Sequence, residues 1–558
     1  MSDERFGKVH RSSLITHHSP YDRAVSEVDS LRQQLKERGY LTHGIERWFA
    51  LDPFRSRAFW LELTLVALKA AVLIAAFAAL PMTAIMLFRN APLGALETLG
   101  LFVSYAAVWL VAVFLFVVAV ALILKLRPAL PIDTPRALLA ISFAASALIA
   151  APAAVWWYRF DTAPTTAELA VGVLLMTLFF LVTTLVVSAA LLSFSIYELQ
   201  RIPAIHQKPR GVPMLVAAIV LVAALFVPAY ADREHVTPEP MIVTAPTNAR
   251  IALIAVDGLT HEILQSRPDL ARMFPSAAPV SILPGDSTTE RWASLGTGVR
   301  TEAHGVRAIE GVRFRGGAHV LQRISRGDFV LMRVAPLLGI ARREPLPPTV
   351  RRRDYVWEIV AARGLPSVAV NWWATADAHA GALETIGPES VFASAKGDAL
   401  RVDAQASSRF LQSLQRSPRF ATVYLPALDV VLNRLELDQS TQLAQSLRAL
   451  DGLAQTIETV RASGYDIVLA GMPGDGQRGA AVIAATLPLR KPASEFDVAP
   501  TLLDLMGFPL SHEMPGQSLA SKSSEPRIAS YGNRSSSAAP AVLNQEYYEN
   551  LKSLGYIR

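Results

Sequence analysis

The stretch Arg250-Ile-Ala-Leu-Ile-Ala-Val-Asp257-Gly258 decides how the second half of the chain folds. An unbroken apolar run that ends in an acid and a glycine is typical of a buried strand followed by a tight turn. Similar runs predict strands at 366–371, 420–425, 465–470 and 480–485, and helical patterns lie at 354–363, 438–463 and 498–507. Because strands alternate with helices, the sequence predicts an α/β domain with a mainly parallel sheet.

Two acidic residues are predicted to lie at one edge of this sheet. Asp257 ends the first strand, and Asp429 follows the strand at 420–425 after Val423-Tyr424-Leu425-Pro426. Functional groups of parallel sheets collect at the carboxyl ends of the strands. Each acid is therefore a candidate ligand or binding residue, and the alternative for Asp257 is an ordinary turn acid at a strand end.

Upstream of this domain the chain has the composition of a membrane protein. Hydrophobic residues make up 52% of the sequence and charged residues 18%, and the apolar runs are concentrated before residue 232. Crossing a hydrocarbon core of about 30 Å takes roughly 20 helical residues. Five segments meet this length, at 66–88, 98–124, 137–157, 169–194 and 212–231. The spans carry few ionisable groups, which favours an anchor over a transporter.

The distribution of basic residues predicts how the anchor is oriented. Lysines and arginines cluster before the first span, between spans two and three, and between spans four and five. The positive-inside rule then places the N-terminus in the cytoplasm and, after five spans, the α/β domain outside it. We expect a cytoplasmic segment 1–57, a five-helix transmembrane domain 58–231, a linker 232–249, an extracytoplasmic domain 250–520, and a linker with a C-terminal helix 521–558.

Composition also limits the partners and the cofactors. The formal net charge is +6, no nucleic-acid-binding motif is visible, and the chain has no cysteine. These features exclude nucleic acid as an expected partner and exclude disulfides and thiolate metal sites. The lipid bilayer is the expected partner of the five spans. An arginine-rich stretch at 307–353 has two interpretations: a solvated insertion with ion pairs, or a segment lying on the membrane with its basic side toward lipid phosphates.

Several motifs, in the right order, resemble the alkaline-phosphatase superfamily, and most closely its type I phosphodiesterase and sulfatase-like branches. Val256-Asp257-Gly258 resembles the first metal-ligand turn, and Pro284–Gly298 with His304-Gly305 resembles the nucleophile segment. Phe496–Leu503 with Met514-Pro515-Gly516 is similar to the C-terminal signature, and the ending Leu551-Lys-Ser-Leu-Gly555-Tyr556 resembles a tail common in the family. The resemblance covers roughly 250–520 plus this tail. It implies that Thr288, nine residues before Thr297-Gly298, holds the position of the nucleophile.

The resemblance also implies two zinc ions held by six ligands, and this sequence departs from that set. The matching positions keep Asp257 and Asp429. Asn433 stands in place of a histidine, Met472-Pro473 in place of an Asp-His pair, and Gln477-Arg478-Gly479 in place of the last histidine. We therefore expect no two-zinc site. The remaining oxygen ligands suit either no metal or one weakly bound divalent cation, Mg²⁺ or Mn²⁺.

Without a metal, Asp257 and Asp429 would be two carboxylates facing each other in a partly buried cleft. That arrangement is costly unless one is protonated or a cation lies between them. A guanidinium fork suits carboxylate or phosphate, so Arg478 or Arg291 is predicted to reach into the old metal site and to bind substrate. The alternative is that both arginines point to solvent.

Two functions of different class fit these observations. In the first, the protein has lost two-zinc catalysis and binds a ligand at the cell envelope, such as an envelope lipid, a glycan or a protein partner. In the second, it is an active hydrolase or headgroup transferase on phosphate or sulfate esters, with Thr288 as the nucleophile. The layout of five spans and an outer domain resembles that of lipoteichoic-acid synthases and phosphoethanolamine transferases.

Overall fold

The computed structural model describes most of the chain in two compact units. The described residues are 34, 37, 59–90, 93–126, 135–160, 164–199, 248–282, 287–325, 327–393, 395–474, 476–492, 494–520, 526–534 and 545–557. The first unit comprises 1–85, 101–157 and 166–226, and the second comprises 86–100, 158–165 and 227–558. The predicted fifth span at 212–231, and nearly all of the predicted cytoplasmic segment 1–57, lie outside the described residues.

Four long apolar helices confirm four of the five predicted spans. They are α1 (Phe59–Asn90), α2 (Ala95–Leu126), α3 (Pro135–Tyr158) and α4 (Thr166–Leu199). Each is long and apolar enough to cross a membrane. All four extend beyond the predicted spans at both ends. Hydropathy marks only the apolar part of a helix, whereas the helical backbone continues into polar ends such as Arg89 and Asn90.

The core of the first unit collects around α1. Ile74 and Ala78 of α1 are fully buried in one cluster with Phe179 of α4. Of the apolar stretch of α1, 67% is buried, whereas only 22%, 22% and 28% is buried in α2, α3 and α4. The exposed side chains on these three helices include large apolar ones such as Leu115 and Leu174. Apolar surface of this kind is expected where helices contact lipid.

The second unit is built on a mixed but mainly parallel sheet. Its described strands are β1 (Ile251–Asp257), β2 (Ala278–Val280), β3 (Glu310–Phe314), β4 (Val320–Leu321), β5 (Ala341–Pro345), β6 (Ser367–Val370), β7 (Ala378–Ala380), β8 (Leu383–Ile386), β9 (Phe420–Leu425), β10 (Asp466–Met472), β11 (Ala481–Ala485), β12 (Leu510–Ser511) and β13 (Arg527–Ile528). Eight of them form the main sheet in the order β2-β11-β10-β1-β9-β6-β8-β7. The central five strands, β10 to β8, are parallel, and β11, β2 and β7 add antiparallel edges.

Short and long helices connect these strands. They are α5 (His261–Gln265), α6 (Pro268–Ala271), α7 (Thr288–Thr297), α8 (Thr301–His304), α9 (Ala335–Leu337), α10 (Val356–Ala361), α11 (Pro388–Ala393), α12 (Ala399–Leu414), α13 (Ala427–Asp429), α14 (Gln439–Ala462), α15 (Val498–Leu505) and α16 (Gln545–Ser553). Two π-helical turns, Val330–Val334 and Val430–Arg434, and two 3₁₀ turns, Pro348–Val350 and Glu495–Asp497, complete the set. All the strands and helices predicted for this domain are present within a few residues.

The structure adds elements that the sequence did not predict. The arginine-rich stretch contains a separate small sheet, β4-β3-β5, whose arginines pair with Glu310 and Glu344. The stretch after residue 520, predicted as a linker, contains β13, which pairs with β12. The described segment 526–534 is therefore part of the fold, and Arg534 donates to the Pro348 carbonyl and to Glu358.

The sheet brings the two predicted acids together. β1 pairs in parallel with β9, and Val256 lies opposite Leu425 at the end of that register. Asp257 therefore leaves the sheet beside the segment that leads through Pro426 to Asp429. Gly258 has a φ of 83°, and a Cβ there would lie 2.5 Å from the backbone nitrogen of Asp429. Only glycine permits this approach, which holds the two strand ends together.

Candidate functional site

Asp257 is fully buried at the carboxyl end of β1. The Tyr424 hydroxyl donates to its Oδ2 at 2.7 Å. Its other oxygen, Oδ1, and the neighbouring Trp292 Nε1 are both buried without a hydrogen-bond partner among the described residues. Burial raises the pKa of Asp257 well above its usual value, and the nearby Asp429 carboxylate raises it further; Arg434 opposes part of this increase. The group therefore holds a proton more tightly than an ordinary aspartate does.

Asp429 is also fully buried, but both of its oxygens are occupied. The Asn433 amide donates to Oδ1 at 2.8 Å, and the Arg434 guanidinium donates through Nε to Oδ2 at 2.5 Å. The ion pair with Arg434 is mostly removed from solvent, because the arginine side chain is 12% exposed. One carboxyl of the buried pair is thus neutralised by a guanidinium, and the other has a raised pKa.

A π-helical turn explains how Arg434 reaches Asp429. The turn Val430–Arg434 is closed by the Leu435 amide, which donates to the Val430 carbonyl at 3.0 Å. In an α-helix, the residue four positions after Asp429, which is Asn433, would lie next to its side chain. The wider π turn brings both Asn433 and the following residue, Arg434, to the same carboxylate.

The C-terminal tail holds the Arg434 guanidinium in place. The Tyr556 ring lies 4.3 Å from its central carbon, in cation–π geometry. The same ring packs against Trp373 and Phe392, with ring centroids 5.4 and 6.0 Å apart. The Tyr556 hydroxyl is buried and has no hydrogen-bond partner among the described residues. The ring of Tyr556 therefore helps to hold the guanidinium that pairs with Asp429.

Gln477, one of the residues at the position where the resemblance implies the last histidine, hydrogen-bonds to three neighbours of Asp429. Its amide nitrogen donates to the Gly258 carbonyl at 3.1 Å, and its oxygen accepts from Gly474 N at 2.8 Å and from Asn433 Nδ2 at 3.2 Å. Gly474 lies directly against the acid, since a Cβ there would fall 1.6 Å from Asp429 Oδ1. Amide groups and a glycine loop thus occupy the positions at which the sequence lacks ligands.

The predicted nucleophile, Thr288, is the first residue of α7 and is buried. Ser287 caps this helix in a reciprocal capping box with Glu290. Trp292, one turn further along α7, is the residue beside Asp257. The helix that begins at Thr288 therefore packs at the same edge of the sheet as the two acids.

Arg291 and Arg478, which were predicted to reach the old metal site, make no ion pair with Asp429 among the described residues, whereas Arg434 does. Arg291 donates to the Pro473 carbonyl at 3.1 Å, in the loop that replaces the Asp-His pair. Arg478 is exposed, as in the solvent-facing alternative. Arg434, which the sequence did not single out, supplies the guanidinium beside the buried carboxylates. A substrate-binding role for Arg291 and Arg478 stays a prediction.

The expectation of no two-zinc site stays a prediction, and the chemistry of the groups at the site bears on it. Structural and catalytic zinc sites use imidazole, thiolate and carboxylate ligands. The described residues bring no group of three or more such side chains together. A metal ion at Asp429 would have to displace the Asn433 amide and the Arg434 guanidinium from its two oxygens. Asp257 Oδ1 is the remaining acceptor of the pair, so one weakly bound Mg²⁺ or Mn²⁺ stays a prediction.

The sequence profile of one family covers this region. Residues 251–471 match the family described as type I phosphodiesterase / nucleotide pyrophosphatase. Over these residues the domain matches a family of the alkaline-phosphatase superfamily. No curated protein sequence matches the chain. The sequence's motif order and the mainly parallel sheet agree with this assignment.

Three solved structures are among those similar to this chain. A phosphonoacetate hydrolase from Sinorhizobium meliloti 1021, with phosphonoformate, is 10% identical over 42% of this chain and 60% of its own, with a TM-score of 0.29. Human ectonucleotide pyrophosphatase / phosphodiesterase 5 is 14% identical over 40% and 56%, with a TM-score of 0.28. The lipooligosaccharide phosphoethanolamine transferase A of Neisseria meningitidis, an integral membrane protein, is 10% identical over 80% and 96%, with a TM-score of 0.29. The chain thus spans 60% or less of the first two proteins.

His304 has a structural role, because it is buried and hydrogen-bonded inside the domain. It is fully buried, its Nδ1 accepts from the Val306 amide at 3.1 Å, and its Nε2 lies 3.0 Å from the Ser294 hydroxyl. Since Nδ1 accepts a hydrogen bond, the proton of the neutral ring is on Nε2. Burial, and then the positive charges of nearby arginines, lower the pKa of His304 to about 3.

This buried histidine predicts a specific loss of stability in acid. In the unfolded chain the imidazole of His304 takes up a proton at a pKa of about 6.5, whereas in the folded chain it does so only at about 3. Between these values protons favour the unfolded state, so the free energy of unfolding decreases as the pH falls from 6.5 toward 3. The slope from this one group is about 1.4 kcal/mol per pH unit. Urea unfolding at several pH values should show a shallower slope for His304→Gln than for the wild type. Equal slopes would contradict the burial of a neutral ring.

Proposed function

We propose that this chain is a membrane-anchored binding protein of the alkaline-phosphatase superfamily, which holds an anionic ligand or partner at the cell envelope without two-zinc hydrolysis. The ion pair between Arg434 and Asp429 carries the proposal. It places a fixed positive charge on a carboxylate that the two-zinc site would need as a metal ligand. The contacts of four groups, Tyr424, Asn433, Gln477 and Tyr556, support this arrangement. The residues that the structure describes bring no group of metal ligands together.

A ligand with a phosphate or sulfate group suits the charges at this edge of the sheet. The first turn of α7, which begins at Thr288, presents the positive end of the helix dipole and backbone N–H groups. Arg291 lies in the same turn and adds a full positive charge. An anion near Thr288 would meet both, and an envelope lipid, a phosphorylated glycan or an acidic protein partner could supply it.

The orientation of the anchor is part of this proposal. The basic residues predict a cytoplasmic N-terminus and an extracytoplasmic domain. Because the chain has no cysteine, single cysteines introduced at exposed sites of the domain can be labelled in intact cells. Labelling of the domain by a reagent that does not cross the membrane is the expected result.

Phosphate binding to the full-length protein tests the proposed ligand class. Calorimetric titration with inorganic phosphate should give saturable binding, and Arg291→Ala should weaken it by about tenfold, the loss expected for one charge-assisted contact. Arg448→Ala is the matched control, since this arginine is exposed on α14 and has no predicted role in binding. Absence of phosphate binding, or sensitivity to Arg448→Ala alone, would contradict the assignment.

Hydrolysis separates this proposal from the active-enzyme alternative. A neutral threonine hydroxyl needs a base or a metal to become a nucleophile. We therefore expect the wild type and Thr288→Ala to hydrolyse bis(p-nitrophenyl) phosphate and p-nitrophenyl sulfate equally poorly with Zn²⁺, Mg²⁺ or Mn²⁺. Turnover by the wild type that Thr288→Ala abolishes would establish the hydrolase function instead.

A further inference from the structure

Three large apolar side chains are exposed on one segment of the arginine-rich stretch. Phe329, Leu337 and Leu338 are 62%, 86% and 59% exposed, and we call them the apolar patch. Val330, Leu331 and Ala335 of the same segment are buried, so the segment is anchored to the domain. An exposed apolar patch on an anchored segment indicates a contact surface rather than a loose loop.

The backbone presents the patch together with a basic residue. The π-helical turn Val330–Val334 continues into α9, so the chain is helical from 330 to 337. Phe329, Arg333 and Leu337 recur at four-residue intervals, which places them on one side of a helix. Arg333 is exposed between the two apolar residues. Apolar side chains with an arginine among them are typical of helices that lie at a membrane surface.

The second end of the segment lies beside the start of a membrane helix. The Arg315 amide donates to the Ile340 carbonyl at 2.9 Å. The next residue, Gly316, faces Leu96, because a Cβ on it would lie 3.7 Å from Leu96 Cδ2. Leu96 is in the first turn of α2, and residues 86–100 belong to the same compact unit as the domain. Leu338 is therefore two residues from Ile340, which is hydrogen-bonded to the residue before Gly316. This contact lies near the start of α2.

The first end of the segment lies beside the end of another membrane helix. A Cβ on Gly327 would lie 3.5 Å from Nη1 of Arg159, and Arg159 directly follows α3. Tyr158, the last residue of α3, is 90% exposed, and tyrosine is enriched where membrane helices meet water. Phe329 is two residues from Gly327. Both ends of the segment are therefore tied to residues at which apolar helices end.

Further hydrogen bonds fix this region to the ends of α1 and α2. The Asn90 side chain accepts from the amides of Gln322 and Arg323 at 2.8 Å, and it donates to the Arg323 carbonyl at 2.8 Å. Glu97 accepts from the Ala318 and His319 amides at 2.8 and 2.9 Å. This number of part-buried hydrogen bonds holds the small sheet and the segment that carries the patch in place.

We propose that the apolar patch inserts into the headgroup region of the bilayer leaflet in which α1 and α3 end and α2 begins. The continuity between the patch and these helix ends selects lipid as the occupant. The exposed arginines Arg315 and Arg333 lie beside the patch and would contact the phosphates of anionic lipids. The domain is then fixed against the membrane surface by a contact that the spanning helices do not supply.

Position-specific fluorescence in proteoliposomes tests the proposal with the full chain. The sequence has no cysteine, so Leu337→Cys gives one labelling site for an environment-sensitive dye. Leu443→Cys is the matched control, since Leu443 is 61% exposed on α14. We expect nitroxide attached to the lipid headgroup region to quench the dye at 337 several-fold more than the dye at 443, and aqueous iodide to show the reverse order.

Each other outcome overturns the proposal. Equal quenching at the two positions would mean that the patch faces water. Protection of position 337 from both quenchers would mean that protein covers the patch, as a second copy of the chain would. In vesicles with anionic phosphatidylglycerol, Arg333→Ala should reduce lipid quenching at 337, whereas Arg448→Ala, at an exposed arginine of α14, should not. An equal effect of both variants would contradict the lipid contact of Arg333.

Discussion

Replacing Arg434 by alanine is expected to destabilise the domain by about 3–5 kcal/mol, the cost of leaving a buried ion pair with one partner. The guanidinium donates to the fully buried Asp429 at 2.5 Å, and a second buried carboxyl, Asp257, lies next to it. Without Arg434 these two acids have no neutralising cation among the groups described around them. The measurement is urea unfolding of the purified full-length protein, followed by the fluorescence of the buried tryptophans.

A double-mutant cycle separates this pair from general damage. Removing the acid as well, in Arg434→Ala with Asp429→Asn, should recover part of the loss, because no uncompensated charge remains. Arg478→Ala is the control for the loss of an exposed arginine and should change stability by less than about 0.5 kcal/mol. Additive effects of the two site substitutions would show that Arg434 does not neutralise Asp429.

Replacing Tyr556 by alanine is expected to cost about 3 kcal/mol, the usual cost of removing a packed aromatic ring. Its ring lies on the Arg434 guanidinium and packs between Trp373 and Phe392. The loss should be smaller in a protein that already carries Arg434→Ala, since the cation–π contact is then absent.

Tyr556→Phe is the matched control for the tail. It keeps the ring and removes a buried hydroxyl that has no hydrogen-bond partner among the described residues. This variant should therefore be as stable as the wild type or slightly more stable. A large loss in Tyr556→Phe would show that the hydroxyl, rather than the ring, holds the tail, and would contradict the packing account.

Much of the fold is visible in the sequence, because its main elements are regular. β1, β9 and β10 are unbroken apolar runs, and α14 is a long amphipathic pattern between polar ends. α12 could also have been predicted, because Val402, Ala406 and Phe410 recur every four residues and are buried. The strands of the small sheet were hidden because their arginines resemble a solvated loop, although ion pairs with Glu310 and Glu344 support them.

The site was predictable only in part. The two strand-end acids follow directly from the strand pattern and from the parallel register. The position of Arg434 could not be predicted in this way, because its contact with Asp429 depends on a π turn that no residue pattern marks. Tyr556 lies far along the chain from Arg434, and the packing of the tail against the guanidinium is a tertiary contact. The sequence predicted that the two acids would need either a proton or a cation, but its candidates for the cation, Arg478 and Arg291, are not the arginine that pairs with Asp429.

The metal content of the purified full-length protein tests the central claim most directly. Elemental analysis after extensive dialysis, on protein expressed with added zinc, should find zinc far below one ion per chain, because Arg434 and Asn433 occupy the oxygens of Asp429. Arg434→Ala, as a matched variant, should not gain a zinc pair, since the histidine ligands are also absent. Dialysis-resistant zinc near two ions per chain in the wild type would contradict the account.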